Sequence, residues 1–250
     1  MLPQRRHDLI LRTLRTDGPA PVRVLAERLG VSQATVRRDL VQLAESGRLT
    51  RVYGGAVAGA DVEHPFAEVA TERVAAKDAV AGRCADLIRD GETILLDIGT
   101  TAHRLARVLH GRALTVITSN LAVYEELRDD HEIQLVLLGG IVRRSYRSMV
   151  GYLTEDALRQ VHADRLFLGT SGVRPNGQVR DTTMVEVAVK RAMIAAADQV
   201  VLVADAGKFP GSGMAHVCGP ENLDIVVTNA DADGQTRTVL TEAGVEVLTA

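Results

Sequence analysis

Over the first fifty residues apolar positions recur every three or four places, and beyond residue 90 they gather into short runs separated by amphipathic stretches. The first spacing is that of helices, the second that of buried strands alternating with helices. Leu9, Ile10 and Leu14 predict a helix over residues 4–16, stopped by Asp17-Gly18-Pro19. Val22, Leu25, Ala26 and Leu29 predict a second, and Gly30-Val31-Ser32 supplies a tight turn whose Ser32 can cap a third. That third helix, residues 33–45, buries Val36, Leu40 and Leu43 and turns Gln33, Ala34, Arg37, Arg38 and Gln42 outward. From Arg48 to Ala56 the alternation becomes that of a hairpin strand.

Periodicity is lost over residues 58–72, where Gly59 and Pro65 mark a linker. Strands are then predicted at 93–97, 114–118, 133–138, 165–168, 200–204 and 225–227, the last of the series. Helices are predicted at 73–88, 101–109, near Val123, and at 153–161 and 184–197. Apolar strands alternating with amphipathic helices indicate an α/β fold, a mainly parallel sheet covered on both faces. The organisation expected is a winged helix-turn-helix over 1–57, a linker over 58–72 and an α/β sensor domain over 73–250.

Charge separates the two parts. Residues 1–60 carry 10 Arg against 5 acidic residues, whereas the rest holds 19 basic and 27 acidic residues. A basic head on an acidic body suggests that only the head meets a polyanion. No apolar run reaches the roughly 18 residues of a membrane span, and the first eight residues lack the apolar core of a signal peptide, so a cytoplasmic protein is expected. Cys84 and Cys218 are far apart and lack metal-ligand spacing; they read as buried thiols, with no metal or cofactor expected. Of 29 basic residues only Lys77, Lys190 and Lys208 are lysine. A chain so biased to arginine keeps lysine where a compact ammonium on a flexible stem is needed.

A Gly turn between the second and third helices makes a helix-turn-helix, whose last helix lies in the major groove with its first residues at base edges. Ser32, Gln33, Thr35, Arg37 and Arg38 are the candidate DNA contacts there, and Arg51, Tyr53 and Gly54 those of the wing. A small helical cap with a solvated arginine face is the plainer alternative, and it leaves the charge asymmetry unexplained.

In parallel α/β sheets ligands bind outside the carboxyl ends of the strands, where loops lead into helix N-termini. Asp97, Gly99, Thr100 and Thr101 close the first strand; Thr118 and Asn120 close the second. Gly139, Gly140 and Arg143 follow the third, and Ser171 and Gly172 follow the next. Each alone is what an ordinary turn contains, but four such loops at one sheet edge point to a ligand. Asp205 and Lys208 follow the run Val200-Val201-Leu202-Val203-Ala204. Glu186 and Lys190 stand four apart on one helix, as site residues or as an exposed salt bridge worth about 0.3–0.5 kcal/mol.

The run from Val31 to Leu40, followed by Gly47 to Ala56, resembles the signature of the DeoR-type bacterial regulators. The resemblance continues through Asp97-x-Gly-Thr-Thr, Thr118-x-Asn, Gly139-Gly140, the segment Glu186 to Met193 and Asp205-x-x-Lys208. It departs from that pattern at Gln178-Val179-Arg180-Asp181. The resemblance implies a sensor domain similar in fold to ribose-5-phosphate isomerase and coenzyme A transferases. It also implies repression of sugar-catabolic genes, relieved by a phosphorylated sugar. Gly99, Thr100 and Thr101 would hold the phosphate, with Lys190, Asp205 and Lys208 near the sugar. The partners expected are therefore a double-stranded DNA operator, a phosphorylated sugar and further copies of the chain in a dimer or tetramer, since two-fold operators suit two-fold proteins. The rival is an isomerase-like enzyme with a DNA-binding head, which would need a carboxylate base near a carbon-bound proton. The related isomerases place paired aspartates in the loop that here reads Gly169-Thr170-Ser171-Gly172, with no acid. A DNA-binding architectural protein with an inert body would leave the polar strand-end loops without a purpose.

Overall fold

The computed structural model describes residues 2–16, 20–46, 49–52, 55–58 and 64–250. Helices Pro3–Thr16, Val22–Leu29 and Gln33–Glu45 enclose a small core of their own, with Ile10, Leu14, Leu25, Val36, Leu40 and Leu43 almost fully buried. Gly30 ends the second helix at φ 63°, a left-handed cap that glycine adopts without strain. Ser32 caps the third, accepting from the Thr35 backbone N–H at 3.2 Å. Strands Leu49–Val52 and Gly55–Ala58 pair antiparallel as the wing, and the second also pairs with Ala20–Pro21.

One polar contact ties this head together. Asp39, on the third helix, is buried and accepts from Arg6 Nε at 2.5 Å and Nη2 at 2.8 Å, with His7 Nε2 at 3.1 Å. Burial alone would raise the Asp39 carboxyl, but the Arg6 guanidinium and His7 outweigh it and hold it below its ordinary value.

The segment read as a linker carries a short helix, Phe66–Thr71, followed by Val74–Ala85. The central sheet then has seven strands, all parallel, in the order 246–249, 225–228, 197–203, 163–168, 93–96, 114–118 and 133–137. Side-chain alternation sends Ile94 and Leu96 to one face with Val80, Leu105 and Val123, and Leu95 to the other with Leu158, Val189 and Leu240. The strand near 225–227 is not the last: the helix Gly234–Glu242 crosses over to an edge strand, Glu246–Thr249. None of its positions is fully buried, so it leaves no strand pattern to read. Two small antiparallel units also arise from segments without strand periodicity, 141–143 with 148–150, and 172–173 with 179–181 and 215–218.

From strand 93–96 the chain moves outward to 114–118 and 133–137, then returns to the other side of 93–96 for 163–168 and beyond. The loops after 93–96 and 163–168 therefore diverge at the one place where the winding reverses. Such a switch point leaves a crevice at the carboxyl edge of the sheet.

Candidate functional site

The crevice is a cavity of about 40 Å³. Gly99, Thr100 and Thr101 form one wall, opening the helix Thr100–Val108, and Gly169, Thr170 and Ser171 form the opposite wall. Gly99 caps that helix at φ 108°, where a side chain would be strained. The backbone N–H groups and positive dipole end of a helix thus face a hollow flanked by the hydroxyl residues Thr100, Thr101, Thr170 and Ser171, an arrangement suited to an anion.

Cations complete it. All three lysines of the chain, Lys77, Lys190 and Lys208, line this one cavity. Lys190 is buried and fully engaged: its Nζ pairs with Asp97, donates to the Gly169 carbonyl at 3.0 Å and stands 3.5 Å from Asp181. Burial opposes its charge, but Asp97 and Asp181 outweigh burial and hold the ammonium above its ordinary value. Lys77 is buried, and its Nζ donates to the Val69 carbonyl at 2.5 Å. Burial, then the nearby Lys208, lower it from 10.5 to about 8 against the pull of Asp205 and Glu72. The Lys208 ammonium has no hydrogen-bond or ion-pair partner among the described residues.

Other expected residues shape the cavity from behind. Asn120 is wholly buried and its amide donates to the carbonyls of Asp97 and Gly99, both at 3.3 Å, while its Oδ1 accepts from Ala122 N–H at 2.9 Å. The Thr118 hydroxyl donates to Leu96 O at 2.7 Å. Both residues fix the 97–99 loop and neither lines the hollow. Gly172 lies where a Cβ would meet Ser212 N at 2.4 Å, so it serves close packing. Gly139, Gly140 and Arg143 also lie outside the cavity. The Gly139 carbonyl accepts from Thr154, and a Cβ on Gly140 would strike the Thr154 hydroxyl.

Glu186 and Lys190 are not an exposed salt bridge: both are buried and turn to different partners. Glu186 pairs with Arg143 and accepts from Ser148 Oγ at 2.8 Å. Asp205 is buried beside Arg73, whose Nε stands 2.6 Å from Oδ1, and it lines a neighbouring hollow rather than this one. Lys77, Tyr146, Asp181 and Thr182 line the site but were not among the expected residues. Only Lys77 had a sequence signal, the scarcity of lysine; Asp181 sits in the segment that departs from the family pattern.

On the head, Ser32, Gln33, Arg37 and Arg38 are exposed along one side of the third helix, and Thr35 is half-buried against the Ser32 cap. Tyr53 and Gly54, and the side chain of Arg51, lie outside the described residues.

The family model for the DeoR-like helix-turn-helix domain matches residues 6–61, and that for the DeoR C terminal sensor domain matches residues 72–230. The chain belongs to the DeoR family. It is 36% identical to the transcriptional repressor AccR of Agrobacterium fabrum, over 95% of this chain and 92% of that protein. It is 30% identical to the glycerol-3-phosphate regulon repressor of Escherichia coli, over 99% of each. These are DNA-binding regulators rather than enzymes, and so is this chain. Among solved structures, the tetrameric eIF2B-beta2-delta2 complex from C. thermophilum aligns with 96% of this chain and 71% of its own, at 14% identity and a TM-score of 0.52. The ribose 5-phosphate isomerase from Methanocaldococcus jannaschii aligns over 53% of this chain and 52% of its own, at 18% identity and a TM-score of 0.39. At 14% identity the likeness to the eIF2B complex is one of fold.

No helix among the described residues is long and apolar enough to cross a membrane, and no group of three His, Cys, Asp or Glu among them is placed to hold a metal ion. Cys84 and Cys218 are buried free thiols.

Proposed function

We propose that this regulator is a cytoplasmic repressor of carbohydrate-catabolic genes. It grips a two-fold operator as a homo-oligomer and has its grip modulated by a sugar phosphate bound at the switch-point cavity. The observation that carries the reading is the convergence of Lys77 and Lys208, whose ammonium groups pair with no carboxylate among the described residues, on a hollow at the N-terminus of the helix Thr100–Val108. A dianionic phosphate monoester matches that charge and those donors. The name of the E. coli relative refers to a phosphate ester of the same kind, glycerol 3-phosphate. Asp97, Thr118 and Asn120 then act as the frame of the phosphate loop, and Ser171, Lys208 and Asp205 as groups facing the sugar. On the head, Gln33, Arg37 and Arg38 read or clamp DNA, with Ser32 and Thr35 ordering the start of that helix and Arg51, Tyr53 and Gly54 in the wing.

A thermal-shift screen of three- to six-carbon sugar phosphates on the full-length protein tests this, because a ligand at 100 times its Kd adds about 2.7 kcal/mol to the native state. One or more should raise the melting temperature and weaken operator binding, with no aldose–ketose conversion. A panel without any stabilising member, or measurable turnover lost on Asp205→Asn, would overturn the reading.

A further inference from the structure

The switch-point cavity is too small for the ligand it attracts. At 10–15 Å³ for each water, about 40 Å³ takes roughly three waters, enough for a phosphate group but not for the sugar that carries it. A second cavity, of about 260 Å³, shares Val69, Lys77, Ser171 and Lys208 with the first. Its volume approaches that of the smaller ligand pockets, about 300 Å³.

The far wall of this second cavity does not belong to the sensor domain. It is the first helix of the DNA-binding head, through Arg5, Asp8, Leu9, Leu11 and Arg12. The two domains are tied together around it: Arg12 Nη2 donates to the Phe209 carbonyl at 3.1 Å, and Arg73 reaches Asp8 on the head at 3.3 Å while pairing with Asp205 on the sensor. The side chains of two cations on its lining, Arg5 and Lys208, have no hydrogen-bond or ion-pair partner among the described residues, one on each domain. Glu72 and Asp205 supply acceptors on the same lining. Unpaired donors beside carboxylates, around a volume larger than a phosphate needs, suit a polyhydroxylated body, whose oxygens both accept and donate.

We propose that the effector spans both cavities, with its phosphate at Thr100 and Thr101 and its hydroxylated body between the domains, held in part by Arg5 and Arg12. The DNA-binding head then completes the effector site. This rests on the sugar-phosphate reading above and adds a physical route for the signal. A ligand bound across the boundary prefers one arrangement of head and sensor, and that preference is the coupling to DNA.

The test is calorimetry on the full-length protein with inorganic phosphate, glycerol 3-phosphate, ribose 5-phosphate, fructose 6-phosphate and glucose 6-phosphate. For the sugar phosphate that wild type binds best, Arg5→Gln/Arg12→Gln should weaken binding by about tenfold or more, the usual loss for a charged hydrogen-bond donor. Inorganic phosphate, which needs only the small cavity, should bind the variant within about twofold of wild type. Arg5 is exposed, so Arg5→Gln alone serves as the milder variant with a smaller loss of the same pattern. Unchanged sugar-phosphate affinity, or an equal loss for both kinds of probe, would overturn the bridging site while leaving the phosphate loop standing. Thr100→Asp binding all probes as wild type does, or wild type binding none, would instead overturn the sugar-phosphate reading and this inference with it.

Discussion

Lys190 and Asp97 stand 93 residues apart in the chain and form a buried ion pair, with Gly169 N–H donating to the same Asp97 oxygen at 2.8 Å. The pair ties the helix Met184–Ala195 to the ends of the two strands between which the sheet reverses. Lys190→Met leaves two carboxylates, Asp97 and Asp181, facing each other without a counter-ion. Removing one partner of a buried pair costs about 3–5 kcal/mol, which in a domain of this size lowers Tm by roughly 10 °C. Adding Asp97→Asn should return part of the loss. A single variant melting within about 1 °C of wild type would show that the pair contributes little.

DNA binding should depend on the exposed face of the third helix. Arg37→Ala with Arg38→Ala keeps Val36, Leu40 and Leu43 in place, so the fold persists while operator affinity falls by about 2–6 kcal/mol in all. Wild-type binding should also weaken steeply with salt, as phosphate contacts release counterions. Wild-type gel shifts from the double variant, or a flat salt response, would place the DNA surface elsewhere.

Thr100→Asp puts a carboxylate at the switch-point cavity, against which Thr100 is buried, where the proposed phosphate would sit. Like charges in a partly desolvated loop exclude a dianion. The head is untouched, so operator affinity without effector stays near wild type and effector no longer changes it. In cells this is a regulator stuck in its ligand-free state. Release of operator at the wild-type effector concentration would refute it.

Under the proposed reading, Lys77 should make the binding of a phosphate anion pH-dependent. Its ammonium titrates at about 8 in the folded protein against an ordinary 10.5, so the folded chain binds fewer protons than the unfolded one between those values. Stability referred to Lys77→Met therefore rises with pH over that window and is level below it. Binding of the phosphate anion has the opposite slope. An uncharged Lys77 must first take up a proton, so affinity falls as pH rises above about 8, by up to about tenfold per unit. Calorimetry from pH 7 to 9.5 checks this, and a response identical in Lys77→Met would assign the slope to another group.

Local chemistry was enough to read the head and the strand–helix alternation. Gly30, Ser32 and the stripe Val36, Leu40, Leu43 act within a few residues of themselves, through a left-handed cap, a side-chain cap and a helical period, so their spacing carries their structure. The strand-end loops were legible for the same reason, since a polar cluster after an apolar run marks the carboxyl end of a strand wherever that strand later pairs. Spacing could not show which of those loops share a cavity. Strand order decided that, by placing 163–168 next to 93–96 and so bringing Ser171 opposite Thr100 while setting Gly139 and Arg143 apart. Spacing also offered Lys190 a partner four residues away, but folding gave it Asp97 instead, because burial leaves an ammonium stable only where opposite charges reach it through space. The interdomain hollow between Arg5 and Lys208 has no local trace at all, since it exists only where two independently packed cores meet.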